Sequence, residues 1–425
     1  MKTFITNRLA LRLLWGVGAL AVAFVVYAWR SAIPPVDPPG PDSFPTAAIQ
    51  RGAQLAMLGD CATCHTAPGG DAFAGGRPVV TPFGTIYSTN ITPDVLTGIG
   101  HWSQAAFERA MREGVDREGA HLYPAFPYDH FTLIDDADSA ALYAFMMTRQ
   151  PMQNRTPDNH LPFPLNIRLI LAGWKLLFFR DGRYRQDATH DEQWNRGAYL
   201  ANGIGHCGAC HTPRNSLGAE IRSQHFGGGE AEGWHAYAIN SDSQSHETWS
   251  ADALHMFLRK GWHEQHGDSH GPMAPVSRNL ASVPDADVRM IALYVASVMG
   301  TKARTNERRD DAATERPDND TGAGIYASSC ASCHDGTQPL PFGGVRLALS
   351  TAVTGETATN LINVVLEGLH PPEGATGAIM PGFSSALTDG QLESLVAYIR
   401  SNFGARPPWS GVETSVREAR SRNRD

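Results

Sequence analysis

The chain has 425 residues, 42% of them hydrophobic and 18% charged, a folded composition with room for several domains of about 100 to 150 residues. A formal net charge of −8 argues against a nucleic-acid partner, which needs a basic face. No phosphate loop, nucleotide fingerprint or Ser/His/Asp spacing stands out.

Residues 1–32 read as a membrane anchor or export signal. Lys2, Arg8 and Arg12 precede an uncharged run from Leu13 to Trp29, closed by Arg30 and Pro34-Pro35. Those 17 residues (13 to 29) reach the lower end of what spans a bilayer and exceed the usual apolar part of a signal peptide. Val26-Tyr27-Ala28 offers a cleavage site, but an uncleaved anchor is favoured. In either case the basic flank stays in the cytoplasm and the rest is exported to the periplasmic side of a bacterial inner membrane. Residues 33–44, too proline-rich for helix or central strand, predict a stiff spacer holding the body off the membrane.

All six cysteines fall in three copies of one pattern: Cys61-Ala-Thr-Cys64-His65, Cys207-Gly-Ala-Cys210-His211 and Cys330-Ala-Ser-Cys333-His334. Cys-x-x-Cys-His is the attachment signature of haem c. Two thiols add across the two vinyl groups, and the adjacent histidine comes to lie under the iron. Zinc wants four ligands, which this spacing does not supply. A thioredoxin-like pair would occur once, beside a strand-helix-strand pattern. Disulfides would not select a following histidine three times. Three copies with no cysteine left over predict three covalently bound haem c groups.

The surroundings of each motif repeat as well. Gln50-Arg51-Gly52-Ala53, Asn195-Arg196-Gly197-Ala198 and the looser Thr321-Gly322-Ala323-Gly324 predict a helix entering each attachment loop. A second helix is bounded by Ser103 and Gly114, by Ser250 and Gly261, and in the third copy runs from Thr359 to a stop at Gly368. A last helix is predicted over 135–147, 285–299 and 389–403, each carrying a tyrosine: Tyr143, Tyr294 and Tyr398. The fold class is all-α, three tandem cytochrome c domains behind an N-terminal membrane anchor. Domain 1 takes residues 45–160, domain 2 takes 188–302 and domain 3 takes 321–408. An apolar linker helix (161–187) and a polar linker (303–320) separate them, and a loose polar tail (409–425) follows.

A haem iron in such domains usually takes a methionine from a loop before the last helix. Met273 and Met380, each flanked by proline, are the candidates in domains 2 and 3. Domain 1 has Phe126 where the methionine belongs, and phenylalanine cannot ligate iron. His130, Met146 or Met147, or an open five-coordinate iron remain, with His121 and His101 as further options. Histidine ligation would lower this haem's potential below the other two. An open iron would allow the alternative function, a free-standing multihaem peroxidase. Leu161 to Arg180 is apolar, with Arg168, Lys175 and Arg180 spaced along it, which suits a helix in a membrane interface or against a membrane-bound partner; a helix buried between haem domains is the alternative.

With these motifs and the strings GIGHWS (98–103), HLYPAFPYDHF (121–131) and GIGHCGACHTPRN (203–215), the chain resembles the triple-haem cytochrome c subunits of membrane-bound periplasmic dehydrogenases over roughly residues 45 to 405. The resemblance implies an electron-transfer subunit, not an enzyme by itself. It would take electrons from a catalytic dehydrogenase subunit and pass them to ubiquinone or a terminal oxidase. By position it implies His65, His211 and His334 as proximal ligands, and Met273 and Met380 as distal ones. Phe126 departs from the quinoprotein alcohol dehydrogenase pattern. The PAFPYDHF string tilts the partner towards a molybdenum hydroxylase, with a quinoprotein or flavoprotein as the other choices.

Overall fold

The computed structural model describes residues 2–300, 319–335, 346–371 and 379–422, with side chains from residue 12 onward. The expected polar linker, apart from its last two residues, lies outside them. Contacts divide the chain into two units, one of residues 1–56 and 61–185, the other of 57–60 and 186–425.

The first unit opens with helix α1 (Lys2–Ala28). Its apolar side chains, Trp15 and Leu20 among them, stand exposed. Among the described residues, no helix is long and apolar enough to cross a membrane. The segment after α1 does not stand off as the proline-rich composition predicts. Ile33 N–H donates to Arg117 O at 2.8 Å and Val36 N–H to His101 O at 3.1 Å, so it lies along the domain. Gly119 permits this approach: it sits at φ +91°, and a Cβ there would come within 2.1 Å of Arg30 O.

Domain 1 then runs through α2 (Thr46–Leu58), the hairpin β1 (Pro78–Thr81) and β2 (Gly84–Tyr87), α3 (Gln104–Glu113) and α4 (Asp136–Met147). The predicted caps form. Ser103 accepts from Ala106 N–H, Gly114 ends α3 in the left-handed conformation, and Asp135 accepts from Asp138 N–H. The linker folds as α5 (Leu171–Phe178). Its face carries Leu171, Ala172 and Lys175 inward, while Leu176 and Leu177 remain exposed. Lys175 Nζ donates to Glu113 O at 2.5 Å and Gly114 O at 2.7 Å, capping α3.

The second unit covers the expected domains 2 and 3 together. Domain 2 has α6 (Glu192–Asn202), the hairpin β3 (Gly229–Ala231) and β4 (Trp234–Ala236), α7 (Ala251–Lys260), the short hairpin β5 (Trp262–His263) and β6 (Gly267–Asp268), α8 (Met273–Leu280) and α9 (Asp285–Met299). Domain 3 has α10 (Asp320–Ser329), α11 (Thr359–Glu367), α12 (Asp389–Phe403) and α13 (Val412–Arg422). The expected loose tail is thus a helix. Val416 and Ala419 on α13 are buried in the domain 3 core with Leu361, Val365 and Leu392, and Arg420 pairs with Asp389 at 2.5 Å.

In every domain the entering helix crosses the last helix at a glycine. A Cβ on Gly52 would lie 1.9 Å from Ala141 O, on Gly197 2.0 Å from Met290 O, and on Gly322 2.3 Å from Ser394 O. Only a residue without a side chain lets the backbones touch there. The aromatic packed over the glycine is Phe145, Tyr294 and Tyr398 in turn. Phe145 therefore takes the structural place that the sequence assigned to Tyr143, which instead donates its hydroxyl to Trp102 O at 2.8 Å. The residue before the glycine ties the crossing a second time in two domains. Arg51 bonds Asp138 at 2.9 Å and Arg196 bonds Asp287 at 3.3 Å.

Candidate haem-attachment sites

Each Cys-x-x-Cys-His segment is a single helical turn following the entering helix: Cys61–His65, Gly208–His211 and Ala331–His334. The turn presents two sulfurs and one imidazole together. The six cysteines form no disulfide with one another, and Cys64 and Cys333 are exposed. Burial pushes the Cys207 thiol up to about 12, which is unlike the low-pKa thiolate of a redox-active pair. Arg77 Nη1 donates to Thr63 O at 2.6 Å, and Arg214 Nη2 to Ala209 O at 2.9 Å. In both cases an arginine holds the carbonyl just before the second cysteine.

Whether these turns fit haem c is tested by the histidines. His65 Nδ1–H donates to Thr89 O at 2.7 Å, and His211 Nδ1–H donates to Tyr237 O at 2.7 Å. That bond fixes the tautomer, leaves Nε2 as the ligating nitrogen and makes it a stronger donor. Burial lowers the pKa of both imidazoles, as it does that of His334, so the neutral ligand form is favoured. His334 Nδ1 has no partner among the described residues, and residues 336–345, which follow it, lie outside them. The donor set, two thiols and one oriented neutral imidazole, fits haem c: the cysteines would hold the macrocycle and the histidine the iron, supplying a one-electron centre.

On the distal side, domains 1 and 2 can be placed in register. Leu122 N–H donates to Gly114 O, and Ser269 N–H to Gly261 O, both at 2.7 Å and both returning to the glycine that ends the second helix. Counting from those glycines, Phe126 (126 − 114 = 12) and Met273 (273 − 261 = 12) occupy the same position. Met273 begins α8, whereas Phe126 packs its ring 5.3 Å from Phe131. His130 falls where domain 2 has Ser277 and is buried at 6% exposure. Met146 and Met147 are buried in α4. His121 is committed elsewhere: Nε2–H donates to Ala28 O at 2.9 Å, and Nδ1 accepts from Lys175 Nζ at 3.1 Å. His101 Nδ1 bonds Val36 O at 2.9 Å. In domain 3, Met380 pairs its backbone with Leu369 and packs partly buried against the core.

Sequence reasoning located the cysteines, histidines and methionines, which form motifs. It missed Thr89, Tyr237, Arg77 and Arg214, because a backbone acceptor or a carbonyl-holding arginine has no local signature.

Comparison with known proteins identifies the family. Residues 49–150 match the cytochrome c family model, and residues 317–399 match the model described as cytochrome C oxidase, cbb3-type, subunit III. The chain is 45% identical to a nicotinate dehydrogenase subunit of Pseudomonas putida over 96% of its own length, but it spans only about a third (35%) of that relative. It is 39% identical to the gluconate 2-dehydrogenase cytochrome c subunit of Pantoea cypripedii (84% of this chain, 86% of the relative). It is 36% identical to the fructose dehydrogenase cytochrome subunit of Gluconobacter japonicus (86% and 81%). Covalent haem c and an electron-transfer role follow, and the chain belongs to the cytochrome c subunits of dehydrogenase complexes.

Proposed function

We propose that this chain carries electrons from a catalytic dehydrogenase subunit, through three haems c, to ubiquinone or a terminal oxidase. The observation that carries the reading is the threefold attachment turn, with the same oriented imidazole in domains 1 and 2. The cysteines at 61/64, 207/210 and 330/333 attach the haems, and His65, His211 and His334 are the proximal ligands. Met273 and Met380 are the distal ligands of domains 2 and 3, with His130 the candidate in domain 1. The exposed apolar side chains of α1, continued by Leu176 and Leu177 on α5, support an N-terminal anchor to the inner membrane with the haem domains on the periplasmic side. A relative named alcohol dehydrogenase (quinone), from Gluconobacter oxydans, supports a quinone acceptor. A molybdenum hydroxylase is the favoured partner: the relative named for nicotinate dehydrogenase is 45% identical, and this chain covers only 35% of it.

The test is to tag the C-terminus, solubilise membranes gently and identify what co-purifies. A molybdopterin subunit with an iron–sulfur subunit is the expected outcome. A quinoprotein or flavoprotein would change the partner and keep the function. A lone chain that turns over peroxide would overturn it in favour of an open iron in domain 1, where Phe126 replaces methionine.

A further inference from the structure

The carbonyls that accept from the proximal histidines lie just past a hairpin strand, Thr89 two residues after β2 and Tyr237 one after β4, and something must hold each strand in place. In domain 1, Tyr87 N–H donates to Asn159 Oδ1 at 2.8 Å. In domain 2, His235 N–H donates to Asn360 Oδ1 at 2.9 Å, and Asn360 Nδ2 donates back to His235 O at 2.8 Å. The gripped residue stands two before the accepting carbonyl in both cases (Tyr87 before Thr89, His235 before Tyr237). With a single residue between them, fixing the first limits where the second carbonyl can lie.

A buried asparagine that merely satisfies itself would need no such register. These two come from unrelated places. Asn159 lies at the very end of its own domain, 72 residues after Tyr87. Asn360 lies on α11 of domain 3, 125 residues after His235, and is 3% exposed. One ancestral repeat does not account for the same contact arising from both. The other hairpin strand of domain 2 locks the histidine as well: Gly228 N–H donates to His211 O at 2.8 Å, and a Cβ on Gly229 would meet Cys210 O at 2.5 Å.

We propose that Asn159 and Asn360 are positioning residues that set the proximal histidine bonds of domains 1 and 2, so that domain 3 tunes the haem of domain 2 through Asn360. The stronger the Nδ1–H bond, the more electron-rich the imidazole and the more the oxidised iron is favoured. Releasing the strand therefore raises that haem's midpoint potential. The inference rests on the haem c reading, which is tested separately by the covalent haem content of the unsubstituted chain.

The experiment compares Asn159→Ala, Asn360→Ala and the same-face control Asn363→Ala in the purified holo-chain, by redox titration and by the electron paramagnetic resonance of the low-spin ferric haems. Asn363 Nδ2 reaches the hairpin turn at Gly233 O, at 2.9 Å, and not the strand end. The expected result is one haem shifted upward in each of the first two variants, a different haem in each, with its resonance changed and the control unmoved. Unshifted potentials in both, or a common shift of all haems, would overturn the proposal. If an alanine variant loses a haem, the serine variant at that position keeps a shorter acceptor and must show a smaller upward shift of the same haem; no shift there also overturns it.

Discussion

Domains 1 and 2 solve the same problem on one side of the attachment turn and different problems on the other. On the proximal side they agree to within a tenth of an ångström: a histidine on a carbonyl just past a strand at 2.7 Å in both, and a strand gripped by an asparagine at 2.8 and 2.9 Å. On the distal side they diverge at the position proposed for the sixth ligand, Phe126 against Met273. The proximal bond orients the imidazole in the same way in both, whereas the distal ligand tunes the potential. Two regions with the same scaffold can thus be separated in potential by a single side chain.

The comparison breaks most visibly if one domain loses its haem. Replacing Cys207 and Cys210 by serine should reduce covalent haem from three per chain to two, measured by pyridine haemochrome against protein. If domain 1 is independent in the same way, the Cys61/Cys64 double replacement should do the same. A chain that loses all haem in either case would show that the domains do not mature separately.

Next in size are the helix crossings. Gly52→Ala and Gly197→Ala each drive a methyl group into a carbonyl about 2 Å away. Each should cost about 3 kcal/mol, the upper range for overpacking, seen as a lowered midpoint in thermal or denaturant unfolding. A loss well under 1 kcal/mol in both would mean that the crossing relaxes easily and is not what fixes the helix pair.

The distal difference can be tested by exchanging residues. Phe126→Met should raise the potential of the domain 1 haem, and Met273→Phe should lower that of domain 2, because thioether ligation favours the reduced iron. Redox titration reads both. If Phe126→Met leaves the domain 1 haem unchanged, another ligand already holds the sixth position, and His130→Ala is the next variant to titrate.

The smallest effect is the pH dependence that Lys175 contributes in the first unit. Burial, aided by Arg30, lowers Lys175 to about 7 from 10.5. Between those values the unfolded chain holds the proton and the folded chain has released it, so stability should rise with pH across that window. Lys175→Met should flatten the rise in urea titrations at a series of pH values. An identical slope in the variant would assign it to another group.

Much of this was legible in sequence where the determinants are local. The serine caps and glycine stops around α3 and α7, and the spans of α9 and α12, follow from residues within one or two turns of the helix ends. What was not legible depends on partners far along the chain. The asparagine grips join residues 72 and 125 apart and have no periodicity to read. Helix α13 buries Val416 and Ala419 in the core, among arginines and glutamates, so its composition resembles a solvated tail until α11 and α12 are there to receive it. Tyr143 was the obvious aromatic of its helix, yet Phe145 meets Gly52, because the crossing point is a property of two helices and not of one.

The position of Asn360 also has a consequence in time. A chain made from its N-terminus exposes the Cys207–His211 turn long before residue 360 exists. Domain 1 waits 72 residues for its grip, and domain 2 waits 125. The second attachment turn therefore spends longer with an unsecured strand beside its histidine, a window in which the ligating nitrogen is less strictly aimed and the turn is more open to the machinery that joins haem to its cysteines.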